Sequence, residues 1–171
     1  MNRDFTYYND YIRITKQYLK NLNAFRVTLK NLRLEEASLQ KELEDYDDIP
    51  SPTVSYQEKT AKAAIELTNV EAVVERRRRK DQRLRKLREK ITRLDTLIRK
   101  IDNSIEALPD EERKLLEAYL IYGGNTGDVA RATYCSERTV RYRTNNMVRQ
   151  ITGMLFGSEA VSVDEDFVFA E

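Results

Sequence analysis

The sequence predicts an all-α protein: a long antiparallel helical hairpin or coiled coil over residues 1–108, a small helical unit over 109–156 and a flexible acidic tail over 157–171. Three observations carry this reading. Charged residues make up 35% of the 171 and aromatics 9%, with no Trp, a balance that suits long solvated helices better than one large globular core. Only five Gly and three Pro interrupt the chain, and the abundant Leu, Glu, Lys, Arg and Ala favour helix. Apolar side chains recur at steps of three and four along two long stretches, and no segment reads as a strand.

The first helix is expected from about residue 5 to 46. Tyr7, Tyr11, Ile14, Tyr18, Leu22, Phe25, Leu29, Leu32, Leu39, Leu43 and Tyr46 form one stripe on it. About 40 residues of helix span roughly 60 Å, so the stripe needs an elongated partner. An aromatic stripe at this spacing reads as core or interface rather than as a stacking platform for bases.

A turn is expected near residues 47–54, where Asp47 and Asp48 end the stripe and Pro50 and Pro52 remove backbone donors. Ser55-Tyr56-Gln57-Glu58 then has the capping-box pattern that opens a second helix. Ala61, Ile65, Val70 and Val73 form a first stripe on it. Beyond them Leu84, Leu87, Ile91, Leu94, Ile98, Ile101, Ile105 and Leu108 alternate steps of three and four without a break. That heptad is a coiled-coil seam, and eight aliphatic side chains left in water predict a homodimer closed along it.

Pro109 ends this helix and suits the first position of the next, followed by the acids Asp110, Glu111 and Glu112. Leu115, Leu116, Tyr119 and Leu120 give a short apolar face, which Gly123-Gly124-Asn125 breaks. A brief helix from Thr126 to about Ala132 follows, with Val129 and Ala130 inward. Thr133-Tyr134-Cys135 forms a tight turn, in which Cys135 reads as a packing residue. Ser136 caps a helix to about Ile151, with Val140, Thr144, Met147 and Ile151 inward. Two short helices joined by a tight turn have the helix-turn-helix arrangement.

The function expected from this unit lies on the opposite face of its last helix. Ser136, Glu137, Arg138, Arg141, Tyr142, Asn145 and Arg149 are left outward there. Arginine donates two hydrogen bonds to guanine, asparagine pairs with adenine, glutamate accepts from cytosine, and free amides at the cap suit a phosphate. Double-stranded DNA is therefore the expected partner. The competing reading is a solvated face of a small bundle, although such a face would carry more Glu and Lys.

Net charge is +1, yet residues 55–109 carry fifteen basic and nine acidic side chains while 158–171 carry no base and five acids. Arg76, Arg77, Arg78, Arg79 and Lys80 begin a run of eleven basic against two acidic residues over 18 positions. One reading is binding to the DNA backbone, independent of sequence and sensitive to salt. The other is a solvated helix face paired with Glu35, Glu36, Glu42 or Glu44. A hairpin turning near residue 50 would set residues 76–80 against 21–30, where no acid occurs, and so favours the first.

Residues 108–151, from Leu108-Pro109-Asp110-Glu111-Glu112-Arg113 through Thr126-Gly127-Asp128-Val129-Ala130 to Ser136-Glu137-Arg138-Thr139-Val140, resemble region 4 of sigma-70-type factors. With a helical N-terminal half ahead of that module, the chain resembles phage late-gene transcriptional regulators of the RinA/ArpU type, from phages of Gram-positive bacteria. The resemblance implies activation of a late operon, with Glu137, Arg138, Arg141 and Tyr142 at base-reading positions and host RNA polymerase as a further partner. No counterpart of the promoter-opening sigma region 2 is read, so a complete sigma factor is not expected.

No enzyme is expected. The chain has no His, which removes the commonest general base and metal ligand, so neither a metal site nor a cofactor is assigned. One Cys makes no internal disulfide, and no signal-type or membrane-spanning apolar run occurs, which together predict a cytoplasmic chain with no membrane partner; the resemblance implies that this is the cytoplasm of a bacterial host. Two alternatives to a regulator are a small terminase-like packaging subunit, which would form a ring, and a coiled-coil scaffold that binds protein.

Overall fold

The computed structural model describes residues 3–47 and 61–160, with side chains at 10–44, 72–157 and Ala160. The described chain is all-helical. Its elements are α1 (Arg3–Asp47), α2 (Ala61–Glu106), α3 (Asp110–Leu116), a π-helical turn (Glu117–Ile121), α4 (Thr126–Ala132), α5 (Glu137–Phe156) and a short 3-10 turn (Gly157–Ala160). The expected turn, the Ser55 capping box, the side chains of Tyr7, Tyr46, Ala61, Ile65 and Val70, and residues 161–171 lie outside the described residues. No described helix is long and apolar enough to cross a membrane.

The chain divides into two compact units, one of Met1–Arg26 with Thr96–Glu171 and one of Val27–Asp95. In the second, α1 and α2 are joined by ion pairs. Arg33 meets Asp95 at 2.9 Å, Glu36 meets Arg88 at 2.8 Å, Glu35 meets Arg83, and Glu42 meets Lys80 at 2.8 Å. Leu29, Leu39, Leu84 and Leu87 are buried there. Exposed pairs of this kind add little individually, about 0–1 kcal/mol, so the buried leucines supply most of the stabilisation and the pairs set which side chains face one another. The hydrogen bond and charge of Lys80 hold the Glu42 carboxyl below its ordinary value. Its contribution is therefore present at neutral pH and is lost as pH falls through the folded-state value.

The first unit holds most of the core. Leu19, Leu22, Ile98, Ile101 and Ile105 from the two long helices are buried in it, as are Leu108, Leu115, Leu116, Val140, Met147, Val148 and Ile151. The start of α1 is tied to the end of α5: the Thr152 hydroxyl, fully buried, lies 2.9 Å from that of Thr15 and 2.7 Å from the Val148 carbonyl, while Thr15 donates to the Tyr11 carbonyl at 2.9 Å. Tyr11 packs on Phe156 with ring centroids 4.8 Å apart, and Arg26 pairs with Asp102 at 2.7 Å. A buried hydroxyl left without a partner costs about 1–3 kcal/mol, so this network specifies how α5 seats on α1.

Three expectations are corrected. The heptad seam does not face water: Leu84, Leu87, Ile98, Ile101, Ile105 and Leu108 are between 0% and 6% exposed in a single chain, with Ile91 and Leu94 half-buried. Leu22, Leu29 and Leu39 of the α1 stripe are buried within the single chain as well. The basic run meets acids: Lys80 pairs with Glu42 rather than lying against residues 21–30, because the pairs of α1 with α2 follow a register centred well beyond residue 50. Pro109 is the cap residue of α3 rather than its first residue, with extended ψ of 147°. In addition, Gly157–Ala160 is helical with Ala160 2% exposed, so ordered chain continues four residues into the segment expected to be tail.

Candidate nucleic-acid interface

Local chemistry sets the ends of α3, α4 and α5. Asp110, Glu111 and Glu112 complement the N-terminus of α3. The π-helical turn closes with the Tyr122 amide donating to the Glu117 carbonyl at 2.9 Å. Gly123 follows with φ of 68°, and Gly124 donates to the Ala118 carbonyl at 3.0 Å. A Cβ on Gly124 would lie 2.6 Å from that oxygen, so this loop, plain in sequence, has a steric demand that only glycine meets. Asn125 then caps α4, its Oδ1 accepting from the Gly127 amide at 3.0 Å.

Between α4 and α5 the chain turns in four residues. Thr133 donates through its hydroxyl to the Val129 carbonyl at 2.8 Å, and the Cys135 amide donates to the Ala130 carbonyl at 3.0 Å. Tyr134 sits between them with φ of 53° and 98% of its surface exposed; Cys135 is half-buried. Positive φ costs an L-residue about 1–2 kcal/mol, and glycine avoids that at an entropic cost of about 0.5–1 kcal/mol. Tyr134→Gly should therefore raise stability by up to about 1 kcal/mol in thermal or urea denaturation. A decrease in stability would mean that the exposed ring holds the turn together.

Ser136 caps α5, its Oγ accepting from the Thr139 amide at 3.1 Å. Val140, Thr144, Met147 and Ile151 face inward and are buried, together with Val148 and Thr152, which the periodic reading leaves out. The inward face is wider than one stripe because α5 is covered both by the neighbouring short helices and by the start of α1, and the second cover is invisible in the local pattern. Ser136, Glu137, Arg138, Arg141, Tyr142, Asn145 and Arg149 are all exposed, with Tyr142 67% so.

Besides Ser136 at the cap, three of those side chains are already engaged. Arg141 pairs with Glu137 one turn earlier at 3.1 Å, which orients the guanidinium and leaves its other donors outward. Asn145 accepts from the Lys16 ammonium at 2.9 Å, across 129 positions of sequence. Nothing in the local sequence announces Lys16. The basic run on α2 presents a different picture. Arg79 pairs with Glu75, Arg85 with Asp81, Arg83 with Glu35 and Arg88 with Glu36, so much of it is matched by acids, and Arg76, Arg77, Arg78 and Arg79 remain exposed.

No protein-family model matches the sequence, no curated protein matches it, and no solved structure matches its fold.

Proposed function

We propose that the chain is a sequence-specific DNA-binding regulator of transcription whose reading head is α5. The observation that carries this is the division of α5 itself: one face buries Val140, Thr144, Met147 and Ile151, and the other exposes Arg138, Arg141, Tyr142 and Asn145 in a row of guanidinium, phenol and amide groups. A helix in the major groove needs such a face, since bidentate Arg and Asn hydrogen bonds distinguish base pairs at about 1–3 kcal/mol each. The caps at Asn125 and Ser136, with the four-residue turn between α4 and α5, support a helix-turn-helix reading of this unit. The fall in α2 partners from Asp95 at Arg33 to Lys80 at Glu42 along α1 supports a long antiparallel hairpin. The sigma region 4 likeness of residues 108–151, with the likeness to RinA/ArpU-type regulators, supports activation of phage late genes and binding to host RNA polymerase.

Selection of bound duplexes from a random pool tests this. The expected result is enrichment of one short motif, with retention abolished when the motif is scrambled. Retention of no duplex, or of all alike, would overturn it.

The basic stretch of α2 has a separate expected result. Replacing Arg76, Arg77, Arg78 and Arg79 together by Gln should weaken binding to every duplex equally and lower the logarithmic salt slope by roughly 0.9 for each phosphate no longer neutralised. An unchanged slope would assign these arginines to the solvated, acid-paired face of the helix.

A further inference from the structure

A cleft of about 730 Å³ opens beside the proposed reading head, between the early turns of α1, the π-helical turn and the outer flank of α5. Lys16 and Lys20 enter it from α1, Arg141 and Asn145 from α5, and Tyr119 from the π-helical turn. No acidic side chain is among its lining residues; Glu137, bound to Arg141, is the nearest acid to that guanidinium. Three cations face one concavity with no carboxylate in its wall; Glu137 meets Arg141 from outside it, and the charge of Lys16 and Lys20 makes the potential there positive and favourable to an anion.

A second observation is independent of the charges. Thr144 also lines this cleft, is 3% exposed, and its hydroxyl makes no hydrogen bond among the described residues. Thr15, Thr92, Thr133 and Thr152, also helical or helix-terminal threonines, each donate to the carbonyl four residues earlier. Of the threonines buried among the described residues, Thr15, Thr144 and Thr152, only Thr144 leaves its hydroxyl without a partner, and its side chain borders the cationic cleft. An orphaned buried hydroxyl costs stability unless something in the cleft accepts from it.

We infer that this cleft is a phosphate-binding site, in which Lys16, Lys20 and Arg141 hold the charge of a phosphate group and the Thr144 hydroxyl donates to one of its oxygens. Lys16 already donates to Asn145 at 2.9 Å, which positions its ammonium and leaves two further N–H donors for the ligand. The phosphate has two possible sources of one chemistry, a phosphodiester of DNA lying along α5 or a free phosphate group. The first of these rests on the proposed DNA-binding function and the second does not. In either case Lys16 and Lys20 become part of the functional surface, although they are more than a hundred residues from it in sequence.

The test uses the full chain in two arms. In the first, thermal denaturation is followed in inorganic phosphate against sodium chloride of equal ionic strength. Phosphate should raise the midpoint of the parent, leave that of Lys16→Gln/Lys20→Gln unmoved, and act on Thr144→Val with affinity lowered by roughly tenfold, the worth of one hydrogen bond to a charged group. Thr144→Val should at the same time be at least as stable as the parent without phosphate, since it removes an unsatisfied hydroxyl and leaves the shape unchanged, a result that a merely structural threonine would not produce. In the second arm, binding to a duplex of scrambled sequence is measured as salt is varied. A decrease of roughly 0.9 in the logarithmic slope per lysine replaced identifies the phosphodiester as the source. A phosphate response with an unchanged slope, or in a parent that binds no DNA, identifies the free phosphate and keeps the site. Absence of any phosphate response in the parent, together with an unchanged slope in the double variant, would overturn the inference.

Discussion

Replacing Ile101 by Asp is expected to unfold the chain rather than to separate two copies of it. Ile101 is fully buried within the single chain, and Ile98 and Ile105, on the same face of α2, are 6% and 5% exposed. A carboxylate there would have neither water nor a cation to compensate it, and an unpaired buried charge costs several kcal/mol. Against a total stability of order 5–15 kcal/mol, and with the packing of the isoleucine removed as well, the variant should lose its cooperative thermal transition. Ile101→Ala, which removes atoms without adding charge, should cost about 2–5 kcal/mol and leave a folded protein. Sedimentation and circular dichroism together check this. A helical, folded Ile101→Asp variant of lower mass than the parent would place the residue in an interface between copies and restore the dimer expected from the heptad alone.

That heptad shows how far sequence reads this fold. The spacing of Leu84, Leu87, Ile98, Ile101 and Ile105 marks a helix with a continuous apolar face, and each is buried. Periodicity reports that a face is covered and is silent on what covers it, so a neighbouring helix of the same chain and a second copy look alike. The register between α1 and α2 is equally hidden, because it depends on where Arg83, Arg88 and Lys80 find Glu35, Glu36 and Glu42 and on a connection whose length proline positions alone do not determine. In α1, Thr15 and Leu19 are fully buried yet absent from the periodic stripe; that stripe follows one line of large side chains, whereas a helix with two neighbours buries a broader arc.

The candidate interface is more legible, since its determinants are local. A serine ahead of an amphipathic run marks the start of α5, and Val140, Thr144, Met147 and Ile151 mark its inward side, which leaves the outward set by subtraction. Asn125 as a cap and the steric need for Gly124 are concealed in an ordinary Gly-Gly-Asn loop, because both depend on three-dimensional approach to Gly127 and Ala118. Lys16 beside Asn145 is out of reach for the same reason.

The outward set makes the second large prediction. Arg138 is exposed, and Arg141 lies nearly one turn further along, held by Glu137. If each holds a base edge, replacement by Ala should cost about 1–3 kcal/mol on the preferred site, roughly tenfold or more in affinity, and far less on unrelated DNA. Neither change should alter stability by more than about 0.5 kcal/mol, the ordinary range for an exposed position, since the inward residues are untouched. The Arg141 result also depends on the cleft beside it, so Arg138 gives the cleaner comparison.

The measurement that reaches the central claim most directly is the affinity of the parent and of Arg138→Ala for a selected site and for its scrambled duplex, at one fixed salt concentration. The expected result is a tight parent complex on the selected site, and a weakening for the variant of about 1–3 kcal/mol there with little change on the scrambled duplex. Equal weakening on both duplexes would make Arg138 a phosphate-binding residue, and no weakening on either would contradict the assignment of α5 as the helix that reads DNA.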